Sequence, residues 1–116
     1  MPKDNNAAST KQVDLISENA EITGNIITSN DMRIDGTVNG NIRTSGRLVV
    51  GTGARIIGNV DCGNVDCLGY IEGDVKSDGL VALKARAVLK GTIIANSLSI
   101  ESGAVFNGSC KMERGE

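Results

Sequence analysis

The chain has 116 residues, a formal net charge of −2 and no histidine. That length fits one domain, and the near-balanced charge excludes the strongly basic surface of nucleic-acid-binding modules, so no nucleic acid is expected as a partner. The sequence contains neither the apolar core of a signal peptide near its start nor the roughly 18 apolar residues of a membrane span. Three cysteines, an odd number, argue against a secreted disulfide framework. We therefore expect a cytoplasmic protein.

Hydrophobic residues make up 40% of the chain, but aromatic residues only 2%, namely Tyr70 and Phe106. Irregular globular cores normally use aromatic rings to fill the gaps between elements. A core made almost wholly of Ile, Val and Leu instead suggests a repetitive structure whose layers share one cross-section. Fifteen glycines against one proline agree with this, because regular corners need Gly whereas Pro interrupts a hydrogen-bonded ladder.

The first segment, residues 1–17, is polar and lacks periodicity, which predicts a flexible N-terminal tail. The repeats that follow predict one domain at residues 18–112, and residues 113–116 are expected to form a short C-terminal tail. Val13, Leu15 and Ile16 are apolar exceptions within the first segment. Two interpretations of them stay open: packing across the first turn of the domain, or a second end-to-end contact.

A five-residue motif of the form apolar–x–Gly–x–apolar occurs six times between residues 22 and 110. Its glycines stand at positions 24, 40, 58, 73, 91 and 108, so the successive intervals are 16, 18, 15, 18 and 17. A second motif, small–x–apolar–x–apolar, lies between successive copies, as in residues 46–50 (GRLVV). Two interleaved motifs that keep phase over most of the chain indicate a repeat architecture.

Apolar residues alternate with other residues in both motifs, which is the periodicity of a strand with one buried face. A repeat of about 17 residues is too short to include a helix. We therefore predict an all-β, single-domain parallel β-helix, or solenoid, of about six turns with three short strands per turn. Stacked turns would align the inward side chains in columns. The predicted columns are Ile22-Val38-Ile56-Ile71-Leu89-Phe106, Ile26-Ile42-Val60-Val75-Ile93-Cys110, Met32-Leu48-Val65-Val81-Leu98 and Ile34-Val50-Cys67-Leu83-Ile100.

The stretch from Ile22 to Cys110 resembles the bactofilin domain, notably in residues 34–36 (IDG), 38–42 (VNGNI) and 104–108 (AVFNG). The resemblance implies a right-handed β-helix that polymerises without nucleotide into non-polar filaments. It also implies roles in bacterial cell shape, division or polar organisation, through peptidoglycan-remodelling or other cell-envelope proteins. Bactofilin-like proteins often carry an N-terminal membrane-targeting segment. The tail of this chain has too little apolar area and charge for stable binding at the inner face of the cell membrane.

A β-helix ends in open edges, where backbone groups and core columns face water unless something covers them. The residues after Cys110 are few and mostly polar, and the single Phe of the chain, Phe106, lies in the last turn. The resemblance implies that this Phe lies at the polymer interface. The residues that we predict for the interface are Phe106, Cys110, Val105, Ile22 and Ile26. The alternative is that Phe106 closes the core of a monomer.

Four cations form a candidate basic patch, namely Lys76, Lys84, Arg86 and Lys90. Such a cluster either contacts an anionic partner or lipid, or is simply a solvated face.

The sequence predicts no enzyme and no cofactor or metal. Cys62 and Cys67 are too far apart for a CxxC zinc motif, and no His is present to complete a site, so we expect core packing. Left-handed β-helices with hexapeptide repeats include acyltransferases and carbonic anhydrases, but their catalysis relies on His. The remaining alternative to a polymer is a non-polymerising β-helical adaptor that recruits cell-envelope proteins.

Overall fold

The computed structural model describes residues 13–113, which lie in short strands and the turns that join them. The sixteen strands of these residues are β1 (Val13–Ile16), β2 (Glu21–Thr23), β3 (Ile26–Thr28), β4 (Asp31–Ile34), β5 (Thr37–Asn39), β6 (Ile42–Thr44), β7 (Arg47–Val50), β8 (Arg55–Ile57), β9 (Val60–Cys62), β10 (Asn64–Cys67), β11 (Tyr70–Glu72), β12 (Val75–Ser77), β13 (Leu80–Leu83), β14 (Val88–Ala95), β15 (Ser97–Ile100) and β16 (Val105–Met112).

The strands stack in parallel into three faces around one core. Face A contains β2, β5, β8, β11 and the first parts of β14 and β16. Face B contains β3, β6, β9, β12 and the second parts of β14 and β16, while face C contains β1, β4, β7, β10, β13 and β15. Each face thus has six parallel rungs, and one rung from each face makes a turn. The predicted all-β solenoid of about six turns is confirmed.

The strand register places the predicted core residues in columns. In face A, Ile56 pairs with Val38 on one side and with Ile71 on the other, and all three are buried. In face C, Leu48 and Val65 are partners and are equally buried. Because every rung repeats at about 4.8 Å, aliphatic side chains of similar size can fill each layer of the core in the same way. This explains why the chain needs so few aromatic residues.

The corner between faces A and B is built on the glycines of the first motif. Gly58 has a φ of +147°, and a Cβ there would overlap the carbonyl oxygen of Gly40 on the neighbouring rung. A positive φ and a close backbone approach both require glycine. The spacing of these glycines along the sequence is therefore set by the length of one turn.

A ladder of side chains, the corner ladder, follows the same corner. The Asn41 Oδ1 atom accepts a hydrogen bond from the Asn59 N–H at 3.0 Å, and the Asn59 Oδ1 atom accepts one from the Asp74 N–H at 3.1 Å. Asn25 binds the N–H of Asn41 in the same way at 3.1 Å. Each side chain therefore satisfies a backbone donor of the next rung at a point where the chain bends.

Buried hydroxyl groups stabilise the corner between faces B and C. The Thr44 hydroxyl donates to the carbonyl of Asn30 at 2.6 Å, and the Ser77 hydroxyl donates to that of Gly63 at 2.8 Å. Cys62 holds the equivalent position on the rung between them, in register with Ser77. It is 2% exposed and belongs to the core cluster, as expected for a small apolar residue.

The tail predicted at residues 1–17 is too long at its C-terminal end. Val13–Ile16 forms β1, which pairs with Asp31–Ile34 and supplies the first rung of face C. Ile16 faces the core, whereas Val13 and Leu15 are exposed on the outer side of the strand. Of the two open interpretations, packing across the first turn therefore applies to Ile16. The remainder of the predicted tail, residues 1–12, and residues 114–116 lie outside the described residues.

Candidate self-association site at the ends of the solenoid

The C-terminal end of the solenoid presents apolar side chains from the last rung of each face. Phe106 is the last member of its column, pairs with Leu89, and is half-buried against the core. Ile100 is 49% exposed and Met112 is 53% exposed. Within residues 13–113 no further rung covers them. The surface made by Phe106, Leu98, Ile100, Cys110 and Met112 is called the C-terminal end surface below.

Cys110 occupies the predicted core column but is not buried. It pairs with Ile93, which is fully buried, while Cys110 itself is exposed because it lies on the last rung. Its sulfur lies 3.5 Å from the Met112 sulfur. Cys110 thus lies on the same last rung as Phe106, and its place in a polymer interface stays a prediction.

Val105 lies beside this surface rather than within it. It pairs with Val88, which pairs with Tyr70, and this column alternates with the inward column of Phe106. Val105 is 45% exposed on the outer side of face A. Arg55 belongs to the same outward column, where it pairs with Tyr70 and places its guanidinium carbon 4.5 Å from the centroid of the Tyr70 ring. Val105 is therefore a rim residue of the C-terminal end.

Ile22 and Ile26 lie on the first rung, at the opposite end of the molecule. Ile22 pairs with Val38 and Ile26 pairs with Ile42, and both are half-buried against the core. Five rung spacings of about 4.8 Å put roughly 24 Å between the two ends. The five predicted interface residues therefore lie at opposite ends of the solenoid: Phe106, Cys110 and the rim residue Val105 at the C-terminal end, and Ile22 and Ile26 at the N-terminal end.

Three further residues of the C-terminal end surface, Ile100, Leu98 and Met112, are not among the residues predicted for the interface. Ile100 and Leu98 stood in the predicted columns as their last members, and this position was the available signal. Met112 follows Cys110 with the spacing of alternate strand residues, and it pairs with Ala95. The position of a residue in a column shows that its side chain points inward. Whether that side chain is exposed depends on whether its rung is the last one.

The structure does not bring the four cations of the candidate basic patch together. Lys76 lies on face B, in register with Asp61, while Lys90 lies on face A with its Nζ atom 5.7 Å from the Tyr70 ring centroid. Lys84 and Arg86 lie at the corner between faces C and A, where the Lys84 Nζ atom is 3.6 Å from a Glu101 carboxylate oxygen. This arrangement favours the solvated face over a single anion site.

The two buried cysteines have the chemistry of core residues. Burial raises the pKa of the Cys62 thiol to about 12, and burial likewise raises the pKa of Cys67 to about 11. A thiol that stays protonated is a poor nucleophile and a poor metal ligand. Within residues 13–113, no group of three His, Cys, Asp or Glu side chains is arranged to hold a metal ion. The same range contains no helix that is long and apolar enough to span a bilayer.

These features define the class of the protein: a solenoid of parallel β-rungs whose core columns are only partly covered at its ends. Residues 14–111 match the sequence profile of the family described as bactofilin, polymer-forming cytoskeletal. The chain belongs to the bactofilin family, whose members are structural proteins of the cytoskeleton and not enzymes.

Two bactofilins are similar to this chain. Bactofilin BacO of Myxococcus xanthus (strain DK1622) is 29% identical over 102 residues, which cover 88% of this chain and 81% of that protein. The fold is similar to that in the cryo-EM reconstruction of Thermus thermophilus bactofilin double helical filaments. The TM-score is 0.80 at 26% sequence identity, and the match covers 86% of this chain and 99% of that chain. That homologue forms filaments.

Proposed function

We propose that this chain assembles end to end into non-polar filaments without a nucleotide, and that the filaments serve as a cytoplasmic scaffold. The observation that carries the proposal is the C-terminal end surface, where Phe106, Ile100 and Met112 leave a core open to solvent. Covering apolar area of this kind is favourable by about 25 cal/mol for each Å² removed from water. Burial alone therefore provides a driving force that requires no hydrolysis of ATP or GTP.

The chemistry of the C-terminal end surface favours pairing with a copy of itself. Phe106, Ile100 and Met112 come from different faces of the same turn, so the apolar side chains lie around the cross-section. A two-fold contact places this surface against an identical one, which matches apolar area with apolar area. Filaments whose joints alternate between like ends have no polarity, as the bactofilin resemblance also implies.

The cellular role follows from the family and belongs to the same proposal. A filament of solenoids presents the same faces along its whole length, and in a non-polar filament each face recurs with every pair of subunits. Such a surface suits the recruitment of many copies of a partner, and peptidoglycan-remodelling or other cell-envelope proteins are the proposed partners. The proposed location is the cytoplasm, where these partners and not the tail would hold a filament near the inner face of the cell membrane, and the proposed role is in cell shape, division or polar organisation.

The proposal is tested by sedimentation and negative-stain electron microscopy of the wild type and Phe106→Arg, without nucleotide. We expect filaments for the wild type and none for the variant, because a buried guanidinium at the joint lacks a partner charge. Leu80→Arg is the matched control, since Leu80 is 38% exposed on the side of face C rather than at an end. It should assemble normally.

Circular dichroism would establish that both variants keep the fold. Small, monodisperse particles of the wild type at all concentrations would contradict the polymer and favour the adaptor module. Normal filaments of Phe106→Arg would contradict the proposed joint.

A further inference from the structure

The N-terminal end of the solenoid differs chemically from the C-terminal end at one core position. Asp14 pairs with Met32 and so stands at the head of the column that continues through Leu48 and Val65. Every other described member of this column is apolar, down to Leu98. We infer that Asp14 makes the N-terminal joint of the polymer the weaker one, so that filaments come apart there into dimers paired through their C-terminal ends. This inference rests on the proposed function.

The Asp14 carboxylate is held in place by its own turn. Its Oδ2 atom accepts a hydrogen bond from the Thr28 hydroxyl at 2.7 Å, and its Oδ1 atom accepts one from the Asn30 side-chain amide at 3.4 Å. Both donors come from the corner that leads to the second rung of face C. Asp14 is half-buried, so the carboxylate is part of the end of the core and not a freely moving surface charge.

The two ends also differ in how exposed the terminal residues of one core column are. Ile16 and Ile100 are the first and last members of the column that runs through Ile34 and Leu83. Ile16 is 8% exposed, whereas Ile100 is 49% exposed. In this column, the N-terminal end therefore has less apolar area to gain from a partner than the C-terminal end.

Pairing of N-terminal ends about a two-fold axis brings the Asp14 carboxylates of both copies into one joint. Two like charges repel, and the joint also removes water from each of them. Inward-pointing charges at a strand edge are a known means of limiting edge-to-edge association. The C-terminal joint carries no such charge among Phe106, Leu98, Ile100, Cys110 and Met112.

The test measures assembly of wild type, Asp14→Leu, Asp14→Asn and Asp61→Asn by analytical ultracentrifugation over a dilution series. Asp61 is exposed on the side of face B and controls for loss of one negative charge. On dilution the wild type should pass through dimers before monomers. Asp14→Leu should stay polymeric at a protein concentration about tenfold lower or more, because it removes both the repulsion and the desolvation of the carboxylates. Asp14→Asn, whose amide oxygen can still accept from Thr28, should shift in the same direction by a smaller factor.

A second measurement places the effect at the N-terminal joint. At a dilution where the wild type has come apart into dimers, Phe106→Arg should be monomeric, and Asp14→Leu added to it should restore dimers through the other end. Wild-type growth should also increase with moderate salt, which screens the two carboxylates, and this increase should be smaller in Asp14→Asn than in Asp61→Asn.

The outcomes distinguish this inference from the proposed function. A wild type that never forms dimers or polymers contradicts both. Filaments that dissolve at the same concentration in wild type, Asp14→Leu and Asp14→Asn contradict the role of Asp14 and leave the polymer standing. Thermal unfolding of each variant identifies any loss of fold. If Asp14→Leu is unfolded, the comparison of Asp14→Asn with the wild type still tests the inference.

Discussion

Cys62, Cys67 and Cys110 show how strongly the properties of a residue depend on its rung. All three point toward the core, but Cys62 and Cys67 are covered by later rungs, whereas Cys110 lies on the last one. The same side chain is therefore a core residue in one place and an exposed thiol in another.

This difference predicts a selective reaction with a thiol reagent at pH 8. Cys110 of the monomeric Phe106→Arg variant should react quickly, while Cys62 and Cys67 should react only after unfolding. The raised pKa values, to about 12 and about 11, keep the two buried thiols protonated until the pH is far above 8. The number of labelled thiols, measured by absorbance and by mass spectrometry of peptides, checks this.

The wild-type polymer provides the comparison. If C-terminal ends pair as proposed, assembly should slow the reaction of Cys110 by tenfold or more, and dilution should restore it. Equal labelling of Cys110 in polymer and monomer would argue against its place in the joint.

At the scale of elements, the stability of each turn depends more on its corners than on its strands. The strands of faces A and B are three residues long wherever they do not run over a corner. A strand of that length has little stability by itself. Glycine at the A–B corner and the corner ladder therefore decide where each rung ends and the next begins.

Gly58→Ala and Gly24→Ala make a matched test of this corner. Both glycines have positive φ, at +147° and +133°, but a Cβ at Gly58 would overlap the Gly40 carbonyl whereas a Cβ at Gly24 meets nothing. We expect Gly24→Ala to lose about 1 kcal/mol through backbone strain alone. Gly58→Ala should lose about 3 kcal/mol or more, because one rung must also move away from the next.

Urea unfolding of the two variants, each in the Phe106→Arg background so that assembly does not contribute, measures these losses. Equal losses would show that the close approach of the rungs does not matter.

Particular residues show how much of the fold and of the site the sequence could predict. Ile56 and Leu48 were placed correctly because strict alternation and glycine spacing identify the inward side wherever rungs flank a strand on both sides. β1 was not predicted because its two inward residues are Asp14 and Ile16. One of them is polar, so this segment lacks the alternation of apolar and other residues that marks the later strands. Exposure of Met112 and Ile100 depends on their place on the last described rung, which is a property of the whole stack and not of a local pattern.

At the scale of the whole molecule, the rungs fix the length that each subunit adds to a filament. Six rungs at about 4.8 Å give about 29 Å for one subunit if the joint keeps the rung spacing. A non-polar filament repeats after two subunits, so its true axial repeat should be about 58 Å on the same rung spacing. A polar filament would repeat after the length of a single subunit.

Fibre diffraction or averaged electron micrographs of aligned filaments would measure both spacings. We expect a meridional reflection at about 4.8 Å from the rungs and a repeat of about 58 Å from the pairs of subunits. A repeat of one subunit length without the longer one would contradict alternating like-to-like joints.

The parallel ladders have a mechanical consequence for such a filament. All hydrogen bonds between rungs point along the solenoid axis, and those of the three faces and of the corner ladder lie side by side in each cross-section. Tension along the axis is therefore shared by many bonds at once within a subunit, whereas at a joint it falls on packed side chains. A stretched filament should behave as a chain of stiff segments with compliant links, and it should break between subunits while each solenoid stays folded.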